Sequence, residues 1–283
     1  MKPYFLIALL WCAFCAPLTL HAQTSVFRQQ QLHSAILDES RTINIYLPDT
    51  YSDDDTTHYP VVYLPDGGLS EDFLHVAGLM RFDAQSWVNR FPKAILIGIE
   101  NTNRQRDFTY AVADLDFLKK VGFSKERIPQ YGGSGKYISF IQQELMPYIA
   151  DHYRVSGRRI YIGESLAGLL GTELLLYHRE LFDTYFIFSP SLWWGNEKLL
   201  QDAAGLLAHK GKKQVNVFIA APAKDEMPLM YEDAKALYDL LQKDKETRSW
   251  FEYLPDETHA TVMHEALYRA FRKLSVADTI TAH

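Results

Sequence analysis

Six short apolar runs, separated by stretches of helical periodicity, limit the architectures open to this chain. Residues 61–64, 94–99, 159–162, 185–188, 215–219 and 250–254 are runs of Val, Ile, Leu and aromatic side chains with little or no polar alternation. Runs of this kind form strands covered on both faces, as in a parallel sheet. Residues 41–47 (Arg-Thr-Ile-Asn-Ile-Tyr-Leu) alternate instead, which predicts a half-buried antiparallel edge strand. Between the runs, 137–151, 166–177, 233–243 and 260–274 place apolar residues three and four apart and predict helices. Strand and helix therefore alternate after an antiparallel start. This predicts an α/β fold: a mostly parallel central sheet with helices on both faces, one domain over residues 23–283. Two segments stand outside the pattern. The acidic stretch 52–55 reads as an exposed turn, and 101–135 reads as loop or lid material over the sheet.

Composition narrows the possible functions. A net charge of −6 argues against a general nucleic-acid binder, which needs a basic face to release counterions. No apolar run long enough to span a bilayer follows the N-terminus. The first 22 residues are a basic start, a greasy stretch and a small residue, Ala22, before Gln23. They read as a secretory leader, so a periplasmic or secreted protein is expected. Both cysteines, Cys12 and Cys15, lie within it. A disulfide scaffold or a cysteine-built metal site in the remainder is therefore excluded.

The apolar run at 159–162 leads straight into Gly163-Glu164-Ser165-Leu166-Ala167-Gly168 and then a helix. Strand, Gly-x-Ser-x-small, helix is the context of a nucleophile elbow: a sharp turn lifts the serine hydroxyl above the sheet edge. The competing local reading is an ordinary helix N-cap. A serine nucleophile needs a base, and the base needs an orienting acid, in the chain order Ser, Asp or Glu, His. His33, His58 and His75 precede the serine, His178 and His209 fall on or beside helices, and His264 lies inside one. His259, in a loop before the last helix, is the expected base. Asp225 is the expected acid, with Glu226 the alternative, because both follow the run at 215–219. Oxyanion donors are expected from the amide of Leu166 and from Gly67 or Gly68 after the run at 61–64.

At these residues the chain resembles the esterase family of α/β-hydrolases that includes the enterochelin and salmochelin esterases. The resemblance is carried by four further segments. They are Tyr-Pro-Val-Val-Tyr-Leu-Pro-Asp-Gly at 59–67, Ile-Gly-Ile-Glu-Asn-Thr-Asn-Arg-Gln-Arg-Asp at 97–107, Glu-Leu-Met-Pro-Tyr-Ile at 144–149, and Ser-Pro-Ser-Leu-Trp-Trp at 189–194. Glu164 and Ala167 depart from the family's usual Gly-His-Ser-x-Gly-Gly, and Pro222 stands where Gly often precedes the acid. The resemblance implies the α/β-hydrolase fold, with Ser165, His259 and Asp225 as its reacting set. Some members work with a Ser–His pair alone. It further implies that Arg104, Arg106 and Trp193 lie near the substrate mouth, against which stand a salt-bridged loop and a buried Trp pair.

The expected chemistry is serine-dependent hydrolysis of a small-molecule ester, such as a siderophore ester, through an acyl-enzyme. No metal and no organic cofactor is required for it. Two alternatives remain at this level: an exported feruloyl or acetyl esterase acting on polysaccharide, and an esterase-like module that binds a siderophore or polysaccharide without cleaving it.

Overall fold

Each central strand divides its side chains between two cores, because successive residues of a strand point to opposite faces. A computed structural model describes residues 27–52, 56–209 and 213–280. The predicted leader lies outside the described residues, and the predicted turn at 52–55 does so from 53 on. Eight strands form one sheet: β1 (Phe27–Ser34), β2 (Glu39–Tyr46), β3 (Tyr59–Leu64), β4 (Ile95–Ile99), β5 (Val155–Glu164), β6 (Thr184–Phe188), β7 (Val215–Ala221) and β8 (Thr247–Tyr253). Their order is β1-β2-β4-β3-β5-β6-β7-β8. Pairing is antiparallel from β1 through β2 to β4 and parallel from β4 to β8. The structure thus has the α/β architecture with a mostly parallel sheet that the run pattern predicts, in the α/β-hydrolase-like form that the resemblance implies.

The predicted edge is displaced by one strand. Residues 41–46 of that run fall in β2, with Leu47 just beyond its end, and β2 is covered on its outer side by β1. β1 reads Phe-Arg-Gln-Gln-Gln-Leu-His-Ser, too polar to show an alternating signal. Its backbone ladder is reinforced by side-chain bonds from Gln29 to Asn44 and from Gln31 to Thr42.

One core holds Val62, Leu64, Leu96, Ile160, Ile162, Phe186, Phe188 and Phe218 against α1 (Phe73–Asp83) and α8 (Val262–Ile280). The other holds Val61, Tyr63, Ile97, Tyr161, Tyr185, Ile187, Val217 and Ile219. The latter packs on α3 (Ser134–Phe140), α4 (Met146–His152), α5 (Leu166–Tyr177), α6 (Lys198–His209) and α7 (Pro228–Leu241). A π-helical turn, Ile141–Leu145, joins α3 to α4 just before Pro147, whose missing N–H and ring oppose regular α-helical bonding there.

The segment 101–135 is more ordered than a plain loop. It contains α2 (Arg104–Phe108) and two 3₁₀ turns, Asp116–Val121 and Lys125–Arg127. The Tyr110 hydroxyl donates to the Trp194 carbonyl at 2.7 Å, and Trp194 Nε1 donates back to the Tyr110 carbonyl at 3.0 Å. Among the described residues, no helix is long and apolar enough to cross a membrane.

Candidate active site

Strand β5 and helix α5 approach so closely at Gly163 that a Cβ there would lie 2.5 Å from the Ala167 carbonyl oxygen. A Cβ at Gly168 would lie 3.0 Å from the carbonyl of Phe188. Between them, Ser165 takes φ 59° and ψ −118°, a region that costs a non-glycine residue about 1–3 kcal/mol. Neighbouring backbone holds it there. The Ser165 N–H donates to Phe188 O at 3.1 Å, Ser191 N–H donates to Ser165 O at 3.0 Å, and the Tyr161 hydroxyl donates to Ala167 O at 2.6 Å. The Ser165 hydroxyl makes no capping bond to α5, which sets the N-cap reading aside. It faces His259 Nε2 at 3.0 Å and the Ser191 hydroxyl at 3.3 Å.

His259 sits between β8 and α8, and three groups fix it. Its backbone N–H donates to Glu226 Oε2 at 2.7 Å, and its Nδ1 lies 2.7 Å from the Ser189 hydroxyl and 3.4 Å from Glu164 Oε1. Ser189, at the end of β6, is fully buried with φ 40°, and its N–H is held by Ala220 O at 2.8 Å. Burial lowers the His259 pKa below the ordinary value of 6.5; Glu226 opposes that shift and Arg104 reinforces it. The imidazole is therefore neutral at pH 7, the state a general base needs. The loss of activity that comes from protonating His259 should accordingly lie at pH values under the usual histidine range, which the lowest acid limb of kcat/KM against pH would measure.

The expected acid is not where chain order put it. Asp225 is exposed, and among the described residues no hydrogen bond or ion pair joins it to His259. β7 ends at Ala221, and Ala223 N–H then bonds Glu257 O at 2.8 Å, leaving Asp225 on the solvent side of the turn. The alternative, Glu226, reaches His259 through the backbone N–H and not through the ring. The residues at Nδ1 are Ser189 and Glu164. Sequence reasoning missed both in this role, although Glu164 stands out as a departure from the family pattern and Ser189 directly follows a strand beside the elbow.

The oxyanion candidates also divide. Leu166 opens α5, so its amide is among the first-turn donors that a helix cannot pair internally. Gly67 donates its N–H to Ile99 O at 3.1 Å, so its amide is engaged in the fold. Its glycine identity has a packing reason, since a Cβ there would meet Gly98 Cα at 2.2 Å. The Gly68 amide donates to Glu71 Oε2 at 2.6 Å, so an oxyanion would have to displace that carboxylate.

Arg104 forms a two-pronged pair with Asp66, at 2.7 and 2.9 Å, and donates to the Glu164 carbonyl at 3.1 Å. It ties the ends of β3 and β5 together. Arg106 is held by Asp107 at 2.7 Å and by Glu39 at 2.7 and 3.1 Å. Trp193 is 6% exposed and packs against Phe123, Phe117 and Trp194. The structure thus engages both guanidiniums internally and places the indole in the core. Replacing Arg104 with alanine would leave the buried Asp66 carboxylate with Asn101 Nδ2 at 2.7 Å as its remaining side-chain donor. A stability loss of about 3 kcal/mol is expected, measured by denaturant unfolding. Lysine should rescue only part of it, having no planar fork. Among the described residues, no group of three or more His, Cys, Asp or Glu side chains is arranged to hold a metal ion.

The family described as "Putative esterase" matches residues 34–270. The ferri-bacillibactin esterase BesA of Bacillus subtilis is 28% identical over 248 residues, covering 83% of this chain and 85% of that protein. An IroE-like serine hydrolase from Shewanella oneidensis superposes with a TM-score of 0.81 at 31% identity, over 88% of this chain and 80% of that one. The BES protein from Bacillus cereus gives 0.75 at 27% identity, over 88% and 96%. The chain belongs to this "Putative esterase" family and is a carboxylic-ester hydrolase.

Proposed function

We propose that the protein hydrolyses a siderophore ester through an acyl-enzyme formed on Ser165. The observation that carries this reading is the 3.0 Å contact between Ser165 Oγ and His259 Nε2, with the ring neutral and its far nitrogen held. His259 Nε2 takes the Ser165 proton as Oγ attacks the ester carbonyl carbon. The negative oxygen that develops is met by the Leu166 amide at the N-terminus of α5, where the helix dipole adds to the attraction. One such donor contributes about 3–4 kcal/mol to the barrier reduction. The tetrahedral adduct collapses, the C–O bond to the leaving alcohol breaks, and His259 gives that alkoxide the proton. Water then gives a proton to His259 and attacks the acyl carbon. Collapse releases the acid, and the proton returns to Ser165.

The siderophore assignment draws on the relatives. One is named a ferri-bacillibactin esterase, and another, an iron(III) salmochelin esterase from Escherichia coli, is 27% identical over 58% of this chain but only 35% of its own length. The leader-like residues 1–22 support export, so the mature N-terminus is expected at Gln23 in a periplasmic or secreted fraction. The test is to incubate the protein with a cyclic catecholate trilactone, iron-free and ferric, and with feruloylated and acetylated xylan. Products and any acyl adduct on the Ser165 peptide are identified by mass spectrometry. Cleavage of the trilactone with an adduct at Ser165 is the expected result. Release of ferulate or acetate alone would move the substrate to polysaccharide, and tight binding without turnover would make the protein a binding module.

A further inference from the structure

An imidazole that accepts a proton at Nε2 becomes a cation, and whatever faces Nδ1 decides how stable that cation is. Asp225 does not face it, and Glu226 bonds only the main chain. The Ser189 hydroxyl at 2.7 Å can orient the ring but carries no charge. The group that can carry one is Glu164, the last residue of β5 and the immediate neighbour of the nucleophile. Its Oε1 lies 3.4 Å from Nδ1, its side chain is 18% exposed, and that oxygen is buried with no hydrogen-bond partner among the described residues. The residue is anchored at its root, where Arg104 binds the Glu164 carbonyl.

We propose that Glu164 is the acid partner of His259, a positioning residue that occupies the role chain order assigns to the loop after β7. This rests on the ester-hydrolase reading of Ser165 and His259 given above. During proton transfer from Ser165, the Nδ1–H stays on the ring, oriented by Ser189, and the ionised Glu164 stabilises the imidazolium. The proton moves from Ser165 to Nε2 and on to the leaving alkoxide, so Glu164 ends each turnover as it began. Burial pushes the Glu164 carboxyl up to about 8; Arg104 opposes this, and Asp66 and Asp72 add to it. At neutral pH much of the enzyme then holds Glu164 protonated, without the charge that helps. Activity should therefore rise twice with pH: once as His259 loses its proton, and again near pH 8 as Glu164 does.

The test measures kcat and KM for p-nitrophenyl acetate from pH 5 to 10, together with the rate at which a fluorophosphonate labels Ser165. Wild type, Glu164→Gln, Glu164→Asp and Asp225→Asn are compared. For Glu164→Gln, kcat should fall about 10- to 1,000-fold at pH 9 with KM little changed, a partial version of the loss seen when a triad aspartate is neutralised. The upper rise should vanish and the His259 limb remain. Glu164→Asp should keep a two-step profile. Wild-type kcat and profile in Glu164→Gln, or a larger loss in Asp225→Asn, would overturn the assignment. Should Glu164→Gln fail to fold, a wild-type profile flat between pH 7 and 9 overturns it equally. Unlabelled Ser165 in the wild type would instead remove the reading of Ser165 and His259 as the reacting pair.

Discussion

Ser165→Ala should lower kcat on any ester the protein cleaves by about 10⁴- to 10⁶-fold, the scale on which serine hydrolases lose activity with their nucleophile. The reason is local. Oγ is the group of the elbow that meets His259 Nε2, and the turn that presents it is held by backbone bonds to Phe188 and Ser191 that alanine leaves intact. The variant should therefore fold and melt as the wild type does. His259→Ala should fall to a similar level, and the double variant should be little worse than either, because the two side chains act as one unit. Initial rates on a nitrophenyl ester measure all three. A Ser165→Ala enzyme within tenfold of wild type would remove that hydroxyl from the reaction, and strictly additive losses would separate it from His259.

The largest structural effect is expected at Trp194. The indole is fully buried, meets Phe117 edge-on at 5.2 Å and Tyr131 at 5.9 Å, and donates to the Tyr110 carbonyl, while the Trp194 main-chain carbonyl accepts from the Tyr110 hydroxyl. It fastens the 101–135 segment to the chain that follows β6, the same chain that carries Ser189 and Ser191. Trp194→Ala should cost about 3–5 kcal/mol through the cavity and the orphaned Tyr110 carbonyl, which lowers Tm by roughly 2–4 °C per kcal/mol for a chain of this size. Trp194→Phe, which keeps an aromatic ring and loses the donor, should cost about 1–3 kcal/mol. Thermal and denaturant unfolding together read both values. A Trp194→Ala protein as stable as wild type would show that the segment is held by other contacts.

Much of this could be read in the residues, for physical reasons that can be named. Central strands such as 95–99 and 185–188 are apolar on both faces because both faces are covered, and continuous apolar runs are conspicuous. Ser165 was legible because steric demand at Gly163, Ala167 and Gly168 writes itself into a local pattern. His259 was legible by elimination among ten histidines. β1 was not, because an exposed strand held by backbone pairing has no need of apolar alternation. Asp225 was misplaced because chain order specifies which strand end to inspect, not the direction a turn takes beyond it. Its neighbours place Ser189 only at the end of a strand, since its role comes from β6 lying beside β5 and from a loop 70 residues away.

The division of every central strand between two cores carries an evolutionary consequence. Removing a single residue from the regularly paired end of β5, between Tyr161 and Glu164, would shift the frame of the residues beyond it across the layer and turn the hydroxyl of residue 165 away from its imidazole in the same stroke. Frame along the β-layer and aim of the nucleophile are therefore inherited together. Lineages descended from this chain can lengthen or trim the connecting helices and loops, but the end of β5 that leads into Ser165 can be altered only by exchange of one side chain for another, not by a change in count.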